Sequence, residues 1–172
     1  MTLFDLKDKV AIVTGSSRGI GRAIAERLAE HGAKVVISSR KQEACDEVAK
    51  VINDRHGAGT AIAHAASISN KAALQGLVDK TMATFGRIDT LVCNAASNPY
   101  YGPMVDIGDE QFRKILDNNI VANNWLVAMF QQSFDDHTAN ITSSTGNQNL
   151  HQLSLSVERQ NADARSETRH PH

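Results

Sequence analysis

The most constraining feature of this chain is a glycine-rich segment placed between an apolar run and an amphipathic stretch. The apolar run covers residues 10–14, and apolar residues recur at helical spacing over 19–31. Between them, residues 15–21 read Gly-Ser-Ser-Arg-Gly-Ile-Gly. Glycines between a strand and a helix let the backbone turn tightly and approach a phosphate, which the helix N-terminus favours. The alternative, a glycine-rich turn without a ligand, fits less well at the first strand-to-helix turn of a chain that alternates further.

The alternation of apolar and amphipathic segments continues to about residue 129. It predicts further strands at 34–38, 60–66 and 88–93, and further helices at 42–56, 71–85 and 109–129. Such alternation indicates an α/β protein with a parallel sheet, and right-handed crossovers give the strand order 3-2-1-4. Residues 138–143 are a candidate fifth strand, although their apolar content is poor.

Composition excludes several classes of function. The 172 residues carry a formal net charge of −1, so no broad positive field favours nucleic acid or an anionic membrane. No apolar run is long enough to span a bilayer. The two cysteines, Cys45 and Cys93, make neither a disulfide framework nor a zinc site, and the histidines show no metal-binding spacing. We therefore expect a cytoplasmic protein with reduced thiols, without a metal, nucleic-acid or membrane partner.

Three motifs in order resemble the short-chain dehydrogenase/reductase family. They are Thr-Gly-Ser-Ser-Arg-Gly-Ile-Gly at 14–21, Asn-Ala-Ala at 94–96 and Asp-Asn-Asn-Ile at 117–120. Ala96 stands where the family has glycine. The Asn-Pro-Tyr-Tyr-Gly stretch at 98–102 is similar to one in the carbonyl and retinal reductase branch. The resemblance covers residues 6–129. It implies a Rossmann-type doubly wound sheet and an NADP(H)-dependent oxidoreductase acting on a small carbonyl or alcohol substrate.

The end of the second predicted strand favours NADP(H) over NAD(H). NAD-dependent enzymes usually place an acidic residue there for the ribose hydroxyls, whereas this chain has Ser39 followed by Arg40 and Lys41. A guanidinium can bind a 2′-phosphate, and cations otherwise oppose the dipole at a helix start. An ordinary solvated helix start is the alternative. The resemblance implies that Ser67, where the family often has Asp, lies beside the adenine. The residues predicted to bind the cofactor are Gly15, Ser17, Arg18, Gly19, Ile20, Gly21, Ser39, Arg40, Ser67, Asn94, Ala95 and Ala96.

The catalytic half of the resemblance is incomplete. It implies that Asn119 holds a water in a proton relay and that Ser144 holds the substrate oxygen, although a chance Ser-Ser pair in a polar loop explains Ser144 equally well. The family's Tyr-x-x-x-Lys pair falls on Val157 and Asn161, and no tyrosine follows Tyr101. We therefore expect impaired catalysis in this chain. A non-catalytic nucleotide-binding or partner-binding fragment and an inert product are the alternatives.

The composition changes near residue 130. We expect an incomplete NADP-binding Rossmann domain over residues 1–145 and a polar, disordered tail over 146–172, from a truncated or frame-shifted gene. Without further strands, part of the apolar face of the helix at 109–129 lacks cover, and the resemblance implies that this helix takes part in dimers. The sequence thus predicts a homo-oligomer through 109–129.

Overall fold

The computed structural model describes residues 4–141, with side chains for residues 4–133. In chain order the elements are β1 Val10–Thr14, α1 Gly19–Glu30, β2 Lys34–Ser38, α2 Gln42–His56, β3 Ala61–Ala63, α3 Lys71–Phe85, β4 Thr90–Val92, a 3₁₀ turn Met104–Asp106, α4 Asp109–Leu116, a π turn Asp117–Val121 and α5 Ala122–Ile141.

The four strands form one parallel sheet in the order β3-β2-β1-β4, which confirms the predicted order. In the register, Ile12 of β1 pairs with Val36 of β2 on one side and Leu91 of β4 on the other. All of β1 and all of β2 except Lys34 is buried. Strands that are covered on both faces need such continuous apolar runs, and these runs were visible in the sequence.

Alternate residues of the central strands face two separate cores. Val13 and Ile37 pack with α1 and α2 on one face of the sheet. Ile12 and Val36 pack with α3 and α5 on the other, where Leu126 is almost fully buried. The sheet therefore has helices on both faces, and its strands all end at the same edge.

The structure corrects the reading of the region after β4. Residues 109–129 are two helices joined by the π turn at 117–121, and α5 continues to Ile141. Residues 138–141 of the candidate fifth strand are thus helical, and its last two residues lie outside the described part. No glycine or proline lies between 108 and 146, and helix propagation adds one hydrogen bond per residue. This continuity overrides the weak strand signal.

Residues 4–138 fall within one compact unit. The predicted domain boundary at residue 145 and the predicted tail at 146–172 lie outside the described residues, and both stay predictions.

Candidate functional site

The glycine-rich segment forms the turn between β1 and α1. Gly15 and Gly19 have φ values of 67° and 59°, which residues other than glycine rarely adopt. The residue before α1, Arg18, makes no side-chain capping bond. The amides of the first helical turn lack acceptors inside the helix, so together with the helix dipole they are suited to hold an anion.

A buried serine ties this turn to β2. The Ser16 amide donates to the carbonyl oxygen of Ser38 at 3.0 Å, and the Ser38 amide donates back to the Ser16 hydroxyl at 2.9 Å. The same hydroxyl donates to the carbonyl oxygen of Val13 at 2.6 Å. Ser16 is fully buried, so its role is to fix the turn rather than to meet a ligand.

A second set of bonds ties the turn to β4. The Thr14 hydroxyl accepts hydrogen bonds from the Asn94 and Ala95 amides, both at 3.1 Å, and donates to Val92 at 3.2 Å. The side-chain Nδ2 of Asn94 donates to the carbonyl oxygens of Thr14 at 2.9 Å and Gly15 at 3.3 Å. The Asn94 side chain therefore holds the ends of β1 and β4 together.

The third glycine of the turn allows close packing. A Cβ atom at Gly21 would lie 2.5 Å from the carbonyl oxygen of Gly15 and 2.5 Å from Nδ2 of Asn94. Real Cβ atoms do not approach backbone oxygen so closely. Gly21 thus lets α1 begin directly against the turn.

A groove of about 1370 Å³ lies over the carboxyl ends of the strands. This is where ligands bind in open α/β sheets, at the point where the strand order reverses. Every residue predicted to bind the cofactor lines the groove except Gly21, which packs beneath it: Gly15, Ser17, Arg18, Gly19, Ile20, Ser39, Arg40, Ser67, Asn94, Ala95 and Ala96.

The charge that lines this groove is entirely positive. Arg18, Arg40, Lys41 and Lys114 line it, and no aspartate or glutamate does. Among the side chains of residues 4–133, no carboxylate lies within ion-pair distance of any of these four cations. Lys114 was missed in the sequence, because nothing local marks this residue of α4 as facing the ends of the strands.

The end of β2 carries a hydroxyl where an acid would oppose a phosphate. The Ser39 hydroxyl lies 3.1 Å from the sulfur of buried Cys45, and the Ser39 carbonyl accepts from Ala66 at 2.9 Å. Gln42 also joins this strand end to the segment after β3, because its Oε1 accepts from the Ala65 amide at 2.7 Å. The wall containing Ser67 is therefore positioned by α2.

Asn119 braces the loop after β4. Its Oδ1 accepts from the Ser97 amide at 2.9 Å, and its Nδ2 donates at 2.8 Å to the carbonyl oxygens of Ser97 and Ile115. Asn119 does not line the large groove. It lines a neighbouring hollow of about 440 Å³, together with the apolar side chains of Met104, Ile107, Phe112 and Ile115. Its predicted part in a proton relay stays a prediction.

The two tyrosines lie outside the large groove. The Tyr100 hydroxyl donates to the Pro103 carbonyl at 2.9 Å, so the side chain folds onto its own loop, and Tyr101 is 90% exposed. Neither contributes a hydroxyl to the groove. Ser144, Val157 and Asn161 lie outside the described residues.

The described part of the chain has neither a cluster of metal-binding side chains nor a helix that could span a membrane. Residues 4–133 hold no group of three or more His, Cys, Asp or Glu side chains that could bind a metal ion. Over the same described stretch, every helix is too short or too polar to cross a membrane. Both cysteines are free, and burial raises the pKa of the Cys93 thiol.

The fold and the groove define an α/β nucleotide-binding class of Rossmann type. The family model described as short chain dehydrogenase matches residues 9–155. This chain therefore belongs to the short-chain dehydrogenase/reductase family.

Curated relatives support the same family. Dehydrogenase/reductase SDR family member 4 of Oryctolagus cuniculus is 43% identical over 118 residues, which are 68% of this chain and 44% of the relative. Short-chain dehydrogenase/reductase SDRA of Arabidopsis thaliana is 42% identical over 116 residues, 67% of this chain and 44% of the relative. The chain thus spans less than half the length of these relatives.

Solved structures share the fold. A short-chain type dehydrogenase/reductase from Mycobacterium marinum has a TM-score of 0.72 at 31% identity, covering 78% of this chain and 53% of that one. A metagenomic short-chain oxidoreductase in complex with NADP has a TM-score of 0.68 at 33% identity, covering 76% and 58%.

Proposed function

We propose that the groove binds NADP(H) as the cofactor site of an oxidoreductase that moves hydride between nicotinamide and a small carbonyl or alcohol substrate. The observation that carries the proposal is the charge of the groove, with four cations and no carboxylate around an open helix N-terminus. An NADP molecule brings a pyrophosphate and a 2′-phosphate, and both need positive partners.

The 2′-phosphate is assigned to the start of α2. Arg40 and Lys41 lie at the N-terminal end of this helix, where cations oppose the helix dipole unless an anion joins them. Ser39 leaves the end of β2 without the acid that would repel the phosphate. One of the similar solved structures is a complex with NADP, which supports the assignment by family likeness.

A double substitution, Ser39→Asp with Arg40→Leu, tests the cofactor assignment. It adds an acid for the ribose hydroxyls and removes a guanidinium, so NADPH affinity should fall roughly tenfold to a hundredfold while NADH affinity holds or rises. Calorimetric titration of both cofactors measures the ratio of the two dissociation constants. Arg113→Leu is the matched control, because it removes a cation from α4 that does not line the groove. A double variant with the same ratio of dissociation constants as the Arg113→Leu control would refute the assignment to NADP(H).

The 172-residue chain is proposed to bind this cofactor with little or no turnover of its own. The positions that resemble the Tyr-x-x-x-Lys pair hold Val157 and Asn161, so the chain lacks the phenol and ammonium that would exchange the proton. The assigned roles of Asn119 and Ser144 are to hold a water and the substrate oxygen, with the apolar hollow beside Asn119 receiving the substrate.

Two measurements separate binding from catalysis. NADPH should raise the melting temperature, because a ligand that binds only the folded state stabilises it. The absorbance of NADPH should stay constant with a panel of aldehydes and ketones. Sustained NADPH oxidation would contradict the loss of turnover, whereas a chain that neither binds NADPH nor unfolds cooperatively would fit an inert product.

The segment 109–129 is proposed as a surface for self-association. It exposes 44% of Phe112, 53% of Ile120 and 48% of Val127, so apolar side-chain surface is open to a second copy of the chain. Sedimentation of the wild type should show a dimer that Ile120→Gln weakens. Val105→Gln, at an exposed site before α4, is the control. A wild-type chain that stays monomeric at every concentration would refute the proposed self-association.

A further inference from the structure

The π turn at Asp117–Val121 brings two consecutive amides to one serine. In an α-helix, neighbouring side chains point about 100° apart, so consecutive residues rarely reach the same target. Here Asn119 holds the backbone of Ser97, and Asn118 donates through Nδ2 to the Ser97 hydroxyl at 2.8 Å. These bonds join the π turn to the segment after β4.

Asn118 also reaches across the groove. Its Oδ1 accepts a hydrogen bond from the Ser69 hydroxyl at 2.7 Å, so one half-buried amide joins the segment after β3 to the segment after β4. Ser69, Ser97 and Asn118 all line the large groove. We refer to this Ser69–Asn118–Ser97 chain of hydrogen bonds as the amide bridge.

The two ends of the amide bridge are held differently. Both serines are exposed: Ser97 is fixed through its backbone by Asn119, and Ser69 lies in a loop where the Asn70 amide donates to the Ser67 carbonyl at 3.0 Å. The bridge therefore joins two loops that are each held from their own side of the groove. This loop follows Ser67, which lines the same groove.

We infer that Asn118 is a positioning residue that sets the width of the cofactor groove by holding the loops after β3 and β4 together before the nucleotide arrives. The inference rests on the proposed cofactor site. A groove that is already arranged loses less conformational freedom when a ligand binds, and this difference increases affinity. The effect is limited, because the ends of the bridge are exposed and water competes for them.

Asn118→Ala should weaken NADPH binding about threefold to tenfold, the range expected for one or two exposed hydrogen bonds. Ser69→Ala should cause a similar loss from the far end of the bridge. Asn124→Ala removes an exposed amide of α5 that does not line the groove, and it should bind NADPH like the wild type. Titration of each variant with NADPH gives the dissociation constants.

A double-mutant cycle separates a bridge from two independent contacts. If Ser69 acts through Asn118, the double variant Asn118→Ala with Ser69→Ala should bind NADPH no more weakly than Asn118→Ala alone. Hydrogen exchange without the cofactor gives a second readout, since the amides of residues 67–70 should exchange faster in either single variant. Should Asn118→Ala fail to fold, Ser69→Ala carries the same test.

Two results would overturn the inference while leaving the proposed function intact. One is wild-type NADPH affinity in both single variants, and the other is an additive double variant. A wild-type chain that does not bind NADPH would instead remove the proposed function.

Discussion

The two central strands and the β4 edge of the sheet are held in place by different forces. β1 and β2 are buried almost throughout, and their apolar side chains fill the cores on both faces. In β4, by contrast, Thr90 is exposed and the two apolar residues are half-buried, and α4 contains no buried residue. Leu91 and Val92 pack only partly against the cores, and polar bonds add to the pairing of β4 with β1. These bonds run from Thr14 to the backbone after β4 and from Asn119 to Ser97.

The difference assigns separate tasks to the two regions. Apolar burial supplies most of the stability of a fold, but it has no direction. Hydrogen bonds add less free energy each and fix geometry more narrowly. We therefore expect changes in the central strands to affect the free energy of unfolding, and changes around β4 to act mainly on the groove.

The largest expected effect comes from a matched pair of isoleucines. Ile37 in β2 is fully buried, whereas Ile120 in the π turn is 53% exposed. Ile37→Ala should lower the free energy of unfolding by about 2–5 kcal/mol, because it removes buried methyl groups and leaves a cavity. Ile120→Ala should change it by about 0.5 kcal/mol or less in the monomer. Chemical denaturation measures both, and similar losses would contradict the contrast between the regions.

The next largest effect on stability is expected from substitutions at two helical glycines. Gly21→Ala forces a Cβ against the Gly15 carbonyl, so we expect a loss of about 1–3 kcal/mol and weaker NADPH binding. At Gly76 in α3, a Cβ would lie 3.4 Å from the His64 side chain, an ordinary contact. Gly76→Ala should therefore stabilise the protein by about 0.5–1 kcal/mol, since alanine favours a helix. Calorimetric unfolding measures the stability of both variants. A Gly21→Ala variant as stable as the wild type would contradict the close packing of α1 against the turn.

The smallest expected effect on the free energy of unfolding comes from Asp89, which lies directly before β4, and it depends on pH. Burial acts to raise the pKa of Asp89, but hydrogen bonds from the Arg87 side chain and the Val10 amide hold that pKa below its usual value. The charge of Lys9 acts in the same direction. The ionised carboxylate is therefore favoured in the folded state, and its contribution is complete above the usual aspartate pKa of about 4.

Asp89→Asn should thus cost about 1 kcal/mol of unfolding free energy at neutral pH. The difference from wild type should narrow as pH falls from about 4 through the lower pKa of the folded state, below which the wild-type carboxyl is also neutral. Denaturation at several pH values measures this difference. Asp54→Asn, at an exposed ion pair of α2, should show little change at any pH. A difference for Asp89→Asn that persists unchanged in acid would show that its charge is not the cause.

Much of the fold and part of the site were predictable from the sequence. Apolar periodicity located every strand and helix up to α4, because each pattern is local to the element that it forms. The strand order followed from the handedness of the crossovers. The glycine turn and Arg40 at the end of β2 were predicted to form one cofactor site, and the resemblance to the family added the Asn-Ala-Ala segment to it.

The tertiary structure decided what no local pattern carries. Lys114, Gln42 and the bridge from Asn118 to Ser69 depend on contacts between residues that are distant in the chain, such as the 49 positions that separate Ser69 from Asn118. The sequence determined the elements and their order, because side-chain periodicity and backbone freedom act over a few residues. Only packing determined which polar groups meet across the groove, because hydrogen bonds require distances and angles that exist once the loops have come together.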